Sequence, residues 1–358
     1  MPMTPTIFSW KMLAAVLALC LPAGAMGAGA GAAGAGAESP DSYRVSDPVV
    51  HGNLAIYFVH GASREGRVPL TLQEALKRRL VEVRETGNVN TLEIENNGDE
   101  EIFIQGGEIV KGGKQDRVLS MSMVLPPRSG TIPIGAFCVE HGRWSPRGAE
   151  EAQRFSSAAA SLPSRRAKLD LADSTTGATA GSGVGTAQQR IWDGVAKIQD
   201  KLSSNLGASV KEPRSQSSLQ LSLENGRLAR EQDDYVAALE ARGLTDTDIV
   251  GYVFAINGKV NSADIYPSNG LFKKLWPKLL RASVTEAIGE KNATAEPVPA
   301  RADVAAFITS LNGRRTEENN AGKAATVRKR ESEAALFTET RPAAAPAAAW
   351  VHRNYLAR

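Results

Sequence analysis

The stretch Ile249-Val250-Gly251-Tyr252-Val253-Phe254-Ala255-Ile256, followed by Asn257-Gly258 and then by residues 259–266, decides the fold class. Two strand-like runs flank an Asn-Gly pair, which tolerates the positive φ that a two-residue hairpin turn needs at both central positions. The stretch therefore predicts an antiparallel β-hairpin. The same signal occurs earlier, where residues 89–95 and 101–104 flank Asn96-Asn97-Gly98-Asp99. We expect two antiparallel hairpins in one sheet.

Apolar residues at helical spacing lie between and after these strands. One set predicts a helix that begins near Ala187, and its apolar face consists of Ile191, Val195, Ile198 and Leu202. A later helical stretch, residues 272–288, is interrupted by Pro277, which must kink the helix or lie in the first turn of a second one. The predicted fold class is α+β: a single domain with an antiparallel sheet packed by several helices, with flexible termini.

Composition narrows the class of protein. The chain has 358 residues, with 42 Lys and Arg against 39 Asp and Glu, for a formal net charge of +3. This balance does not indicate a nucleic-acid partner or a polybasic membrane-binding surface. Two cysteines cannot form a disulfide framework, so we expect stability to come from core packing.

The first 25 residues predict a signal peptide. Lys11 precedes an apolar run over residues 12–21, and Ala23-Gly24-Ala25 suits cleavage after Ala25. The run is about half the length needed to span a bilayer, so we expect export to the periplasm or beyond, with no transmembrane helix after cleavage. The alternative is a lipoprotein anchored at Cys20, which the bulky Leu19 at the preceding position disfavours.

Composition also predicts the boundaries of the domain. A Gly/Ala-rich spacer over residues 26–45 precedes a domain over residues 46–311, inside which residues 156–187 are predicted to be a flexible loop. The tail over residues 312–358 is predicted to be mostly disordered. Its last part, residues 350–356, is apolar enough either to dock on the domain or to remain a frayed terminus.

The densest polar chemistry lies between Gln105 and Arg117. Paired glycines let a backbone approach a ligand and turn N–H groups toward it, and nearby cations favour a phosphate or a carboxylate. The alternative is a glycine-rich turn with solvated charges. The candidate ligand-binding residues in this loop are Gln105, Gly106, Gly107, Lys111, Gly112, Gly113, Lys114, Gln115 and Arg117.

The run from Gly107 to Arg117, followed by Ile132-Pro133-Ile134 and by residues 138–144, resembles the ARG and rhodanese-phosphatase-superfamily-associated protein domain. ARG stands for ADP-ribosylglycohydrolase. Later landmarks of the resemblance are Gln189 with Trp192, the hairpin at Asn257-Gly258, Asp264-Ile265-Tyr266 and Leu271-Phe272. The family's associations imply chemistry on NAD-derived or other phosphorylated compounds, and they imply no particular catalytic residue.

Three residues are candidates for catalysis. Cys138 is either a nucleophile or, as its strand context favours, a small buried apolar residue. Glu108 and Glu140 are each either a general base or the partner of a nearby cation such as Lys114 or Arg143, and we favour the ion pair.

Arg143 and Trp144 place a planar cation beside an aromatic ring, and both are added to the candidate ligand-binding residues. No His or Cys spacing typical of a metal site occurs, so we expect no metal and no cofactor. The function predicted is binding or processing of an anionic small molecule, and the alternative is a non-catalytic module of the cell envelope that binds another protein.

Overall fold

The computed structural model describes residues 43–148, 150–176, 184–294, 296–321, 325–343 and 349–358. All of them belong to one compact unit, Asp41–Arg358. The signal peptide predicted for residues 1–25 and most of the predicted spacer lie outside the described residues. No helix within the described ranges is both long and apolar enough to cross a membrane.

The described ranges contain helices and mainly antiparallel sheets, which confirms the α+β class. The strands are β1 (Arg44–Val45), β2 (Val49–His51), β3 (Leu54–His60), β4 (Leu70–Thr71), β5 (Val81–Glu85), β6 (Thr91–Asn96), β7 (Ile102–Ile104), β8 (Glu108–Gly112), β9 (Arg117–Leu119), β10 (Met123–Leu125), β11 (Gly130–Cys138), β12 (Phe155–Ser161), β13 (Ile249–Ile256), β14 (Lys259–Ile265), β15 (Glu317–Ala321), β16 (Ala325–Glu331), β17 (Ala335–Pro342) and β18 (His352–Ala357). The helices are α1 (Leu72–Lys77), α2 (Arg165–Thr176), α3 (Val184–Leu206), α4 (Leu219–Leu223), α5 (Gly226–Thr245), α6 (Asn269–Gly289) and α7 (Arg301–Thr309).

The largest sheet has the order β1-β3-β13-β14-β18-β17-β16-β15, with β2 also paired to β3. The hairpin predicted at Asn257-Gly258 is confirmed. Asn257 and Gly258 have φ values of 49° and 72°, and they join β13 to β14 in antiparallel register. This hairpin places β14 beside the C-terminal strand β18.

The hairpin predicted at residues 89–104 is wrong. β6 pairs with β5 and β11 in a six-stranded sheet of order β12-β8-β9-β11-β6-β5, whereas β7 pairs with β10 and β4 in a separate three-stranded sheet. Neither Asn97 nor Gly98 has the positive φ that the hairpin turn requires. Instead the Asn96 side chain donates to Glu100 O and Pro126 O and accepts from Gly98 N, so the turn carries the chain out of one sheet into the other.

Helix α6 lies in the main core and packs against α5, α3 and β13. Its N-cap is Ser268, whose side chain accepts from Leu271 N. The helix continues through Pro277 to Gly289, so the alternative of a second helix that begins at this proline is wrong. The neighbouring Trp276 is fully buried and contacts Phe58 and Tyr252 edge-on, with ring centroids 5.3 and 5.2 Å away.

The flexible loop predicted over residues 156–187 is wrong wherever that range is described. Residues 155–161 form β12, which pairs with β8, and the chain then enters α2. Small residues misled the prediction, because Ala158 and Leu162 are buried in the core and α2 buries Leu171. The helix predicted to begin near Ala187 is present as α3, which begins at Val184. Residues 177–183 lie outside the described part of the chain.

The tail predicted to be mostly disordered instead supplies four strands, β15 to β18, to the largest sheet. In β16 the buried residues alternate with partly exposed ones, as a strand with one covered face requires. The apolar segment 350–356 docks on the domain, because β18 pairs with β14 on one side and β17 on the other. At the other end of the chain, Arg44–Val45 forms β1 rather than spacer.

Candidate functional site

The loop from Gln105 to Arg117 is part of the six-stranded sheet, since it contains β8 and the start of β9. The amides predicted to face a ligand donate to other groups of the protein: Gly106 N to Ser122 Oγ (2.9 Å), Gly107 N to Leu119 O (2.8 Å), Gly112 N to Asp116 Oδ1 (3.1 Å), Gly113 N to Glu151 O (3.0 Å) and Lys114 N to Glu85 Oε2 (3.4 Å). The prediction that these amides form an anion-binding recess is therefore wrong.

The cations of the loop do not converge on one point. Lys111 Nζ lies 2.7 Å from Glu224 Oε1 at the surface, and Lys114 Nζ lies over the Trp144 ring, 4.9 Å from its centroid. Arg117 is fully buried and pairs with Glu85 at 3.3 Å. The Gln115 side chain is also buried and donates to Glu140 O. Lys111 and Arg117 are therefore held in ion pairs, whereas Lys114 is held only by its contact with the Trp144 ring.

Arg143 belongs to a buried network of charges. Arg143 Nε donates to Glu140 Oε2 at 2.6 Å, which agrees with the ion pair favoured by the sequence, and Arg147 binds both oxygens of Asp116 at 2.8 and 2.7 Å. Burial raises the pKa of Asp116, and the charge of Glu140 adds to this shift against the opposing charge of Arg147. The network is satisfied internally and has a structural role.

The two remaining candidate catalytic residues are also accounted for by structural contacts. Glu108 pairs with Lys278, at 2.7 Å between Oε1 and Nζ, rather than with Lys114. Its Oε2 accepts from Gln105 N at 3.0 Å. Cys138 is completely buried in β11, and burial raises the pKa of its thiol to about 11. The thiol is thus an unactivated apolar group.

The thiol gives a direct prediction. In a chain carrying Cys20→Ser, we expect the native protein to react with a disulfide reagent about a hundredfold more slowly than the denatured protein, because the thiolate is the reactive form and a thiol with a pKa near 11 is almost entirely protonated at pH 8. Absorbance of the released thiolate measures both rates. Equal rates for native and denatured protein would contradict the burial of Cys138.

At the opposite end of the loop, Gln105 and Gly106 line a polar cavity. The cavity is bounded by the turn before β8, the β9–β10 connection, α2, and one face of β14, β16, β17 and β18. About 70 Å³ of it is accessible to the centres of water molecules. Its polar lining residues are Gln105, Ser120, Ser122, Lys168, Asp264, Thr338, Thr340, His352 and Asn354. This volume holds a few waters or one small polar group.

Three of these residues form a chain of hydrogen bonds. Ser122 Oγ lies 2.8 Å from His352 Nδ1, and His352 Nε2 lies 2.9 Å from Asp264 Oδ1. All three side chains are buried. The imidazole is held flat against the Tyr266 ring, with centroids 5.1 Å apart and planes 14° apart. The Tyr266 hydroxyl in turn donates to Gln105 Oε1 at 2.8 Å.

The environment of Asp264 keeps it ionised. Burial alone would raise its pKa, but the hydrogen bond from His352, the charge of Lys168 and the hydrogen bond from Asn354 together lower it. A carboxylate can only accept, so His352 carries a proton on Nε2, and in the neutral imidazole Nδ1 then presents its lone pair to Ser122. The Ser122 hydroxyl therefore donates to His352, and it accepts from Gly106 N–H.

Several donors in the cavity wall have no partner within the protein. The Lys168 ammonium and the hydroxyls of Thr338 and Thr340 make no hydrogen bond or ion pair with any other side chain or backbone group in the parts of the chain that the structure covers. Lys168 is half-buried on α2, and the two threonines lie on β17. Asp264 Oδ2 on the same wall is a buried acceptor without a hydrogen-bond partner among the described residues, so a ligand that both accepts and donates fits this lining.

The sequence analysis missed most of this site. It placed Gln105 and Gly106 in the ligand-binding set, but it did not single out Ser122, Lys168 or His352. Asp264 entered only as a landmark of the family resemblance. His352 is 88 residues from Asp264 and 230 from Ser122 along the chain, and no local motif joins residues at such separations. As for a metal, no group of three His, Cys, Asp or Glu side chains in the described ranges is placed to hold one.

Comparison with known proteins identifies the family. No curated protein and no solved structure matches the chain. The model of one protein family, the ARG and Rhodanese-Phosphatase-superfamily-associated Protein domain, matches residues 42–356. The match covers the whole cavity, including His352 on the last strand. The chain therefore belongs to the family of the ARG and Rhodanese-Phosphatase-superfamily-associated Protein domain.

Proposed function

We propose that this protein binds and processes an anionic small molecule, and that the molecule's negative group enters the cavity beside Ser122 and His352. One observation carries the proposal: the Lys168 ammonium and the Thr338 and Thr340 hydroxyls line a single cavity and make no hydrogen bond or ion pair with other described residues, although the charge of Lys168 also acts on Asp264. A hydrogen bond from a charged donor contributes about 1.5–3 kcal/mol. An incoming carboxylate or phosphate oxygen would supply the acceptor that these groups lack.

The size of the cavity limits what enters it. About 70 Å³ accommodates one phosphate or carboxylate group, whereas a whole dinucleotide is far larger. The rest of an ADP-ribose or NAD molecule would therefore lie outside the cavity. This geometry agrees with the family's association with ADP-ribosylglycohydrolase only at the level of a phosphorylated or otherwise anionic ligand.

The proposal moves the site away from the middle of the Gln105–Arg117 loop. Lys111 and Arg117 are already paired, and Lys114 lies over Trp144. Only the first two residues of the loop, Gln105 and Gly106, reach the cavity. Export through the leader predicted at residues 1–25 is also part of the proposal, and a secreted form recovered from the periplasm would support it.

A binding titration tests the site. We expect calorimetry with phosphate, pyrophosphate, acetate, NAD and ADP-ribose to detect binding by at least one of them, and Lys168→Met to weaken it by about ten- to a hundredfold through loss of the charged donor. Lys111→Met and Lys114→Met are the matched controls and should bind as tightly as the unaltered chain.

The outcome also separates the alternatives. If Lys114→Met loses binding and Lys168→Met keeps it, the anion binds at the loop and the cavity proposal is wrong. If none of the five compounds binds, the alternative of a non-catalytic module that binds another protein is favoured. Capture of one stable partner from cell-envelope extracts by the unaltered chain would then support that alternative.

A further inference from the structure

We infer that Ser122 is a nucleophile, that His352 is its general base, and that the substrate class is a carboxylic ester of a small acid. This inference rests on the proposed function, because it uses the same cavity, and it adds the reaction that the cavity performs. The observations that carry it are the order of the hydrogen bonds and the position of Ser122 on the cavity wall.

The order of the hydrogen bonds is the one that activates a hydroxyl. A serine is a weak nucleophile unless a base takes its proton as it attacks, and the base needs a third group that fixes its tautomer. Here Ser122 lies 2.8 Å from His352, and His352 lies 2.9 Å from Asp264. The two ring nitrogens exchange the roles they have in serine proteases, since Nδ1 faces the serine and Nε2 the carboxylate. The proton transfer is the same with either nitrogen.

The surroundings hold these groups in place. Asn354 Nδ2 donates to the same Asp264 oxygen as His352 does, at 2.9 Å, and Tyr266 stacks on the imidazole. Gly106 N–H donates to Ser122 Oγ at 2.9 Å and fixes the position of the hydroxyl. A Cβ at Gly106 would lie 3.1 Å from the Met121 backbone, so the lack of a side chain permits this close approach.

The charge of the cavity wall favours an acyl substrate over a phosphate monoester. When Ser122 attacks an ester carbonyl, one negative charge develops on the former carbonyl oxygen, and Lys168 supplies one positive charge on the same cavity wall. A phosphate monoester brings about two negative charges near pH 7. A purely structural hydrogen-bond network would require neither an open cavity beside Ser122 nor an unpaired ammonium facing it.

The reaction proceeds in two balanced steps. Ser122 Oγ forms a bond to the carbonyl carbon while its proton passes to His352 Nδ1, and the tetrahedral intermediate expels the alcohol, which leaves with the electron pair of the broken C–O bond and takes the proton from Nδ1. A water molecule then attacks the acyl group in the same manner and gives its proton to Nδ1. Collapse of the second intermediate returns that proton to Ser122 and releases the carboxylic acid, which loses its own proton to water and becomes an anion of the kind that the proposed function places in the cavity.

Covalent labelling tests the inference with the full chain. Methanesulfonyl fluoride is uncharged and small enough for the cavity, and it sulfonylates activated serines with loss of fluoride. We expect peptide mass spectrometry to find the sulfonyl group on Ser122, and Ser122→Ala to lose it. His352→Gln should slow the labelling of Ser122 by about a hundredfold or more, the usual contribution of a general base. Ser156→Ala, which alters an exposed hydroxyl on β12 outside the cavity, should label at the normal rate.

The anion-binding proposal and the nucleophile proposal are overturned by different results. A chain that binds anions but is not labelled at Ser122 overturns the nucleophile and leaves the proposed function standing. Labelling of Ser122 without binding of any anion supports the nucleophile and overturns anion binding. The decisive labelling is done on the unaltered chain, so a variant that fails to fold does not affect the result. Circular dichroism identifies such a variant. Hydrolysis of p-nitrophenyl acetate gives an independent measure of the reaction.

Discussion

A chain shortened to end at residue 343 is expected to lose its cooperative fold. The deletion removes β18, which pairs with both β14 and β17 inside the largest sheet. It also removes the buried side chains of Trp350, Tyr355 and Leu356. Burial of each large apolar side chain contributes about 1.5–3 kcal/mol, so the loss approaches the 5–15 kcal/mol by which a typical domain is stable.

Circular dichroism during heating and limited proteolysis measure this effect. We expect no cooperative thermal transition and rapid digestion of the shortened chain. A chain that lacks only Arg358, an exposed residue beyond the end of β18, is the matched control and should melt within a few degrees of the full chain. A normal melting temperature for the chain ending at residue 343 would show that the C-terminal segment is a dispensable tail.

The second large effect concerns the buried charges next to the loop. Asp116→Ala is expected to lower the free energy of unfolding by about 3–5 kcal/mol, because it removes a fully buried carboxylate that binds Arg147 at 2.8 and 2.7 Å and also accepts from Gly112 N and Ser218 Oγ. Asp116 itself contributes little net stabilisation, since burial raises its pKa and so disfavours its charged form. The loss comes mainly from the buried donors that are left without their acceptor, since Arg147 keeps its ion pair with Glu150 at 3.0 Å.

Urea denaturation measures the change in the free energy of unfolding. The matched control is Asp99→Ala, which breaks an ion pair with Arg128 in which the Asp99 side chain is 81% exposed, and it should cost less than about 1 kcal/mol. Both variants, where folded, should bind anions in the cavity as the unaltered chain does. A change below about 1 kcal/mol for Asp116→Ala would contradict a structural role for the network.

The sequence predicted correctly those elements whose structure depends on residues that are neighbours along the chain. The Asn257-Gly258 turn was predictable because both residues adopt positive φ and the flanking runs pair with each other. The Asn97-Gly98 turn misled the prediction, because the Asn96 side chain bonds to Pro126 O, thirty residues later. The strands of the tail were missed because their charged residues, such as Lys329 and Glu339, are buried only with partners that the sequence does not reveal.

The candidate site was predictable only in part for the same reason. Glycine pairs and cations in one loop are a local signal, and the structure uses them in a hairpin and in ion pairs. The cavity is assembled from residues on seven separate elements of the chain, and the pairing of β14 with β18 places Asp264 beside His352. The family resemblance located Asp264, yet His352 lay in the segment predicted to be mostly disordered.

A crystal structure of the protein with phosphate or acetate at high concentration tests the central claim most directly. The account predicts the anion within hydrogen-bonding distance of Lys168 Nζ and of a Thr338 or Thr340 hydroxyl, beside Ser122. An anion bound instead against Lys114, Arg143 and Trp144, with only water in the cavity, would contradict it.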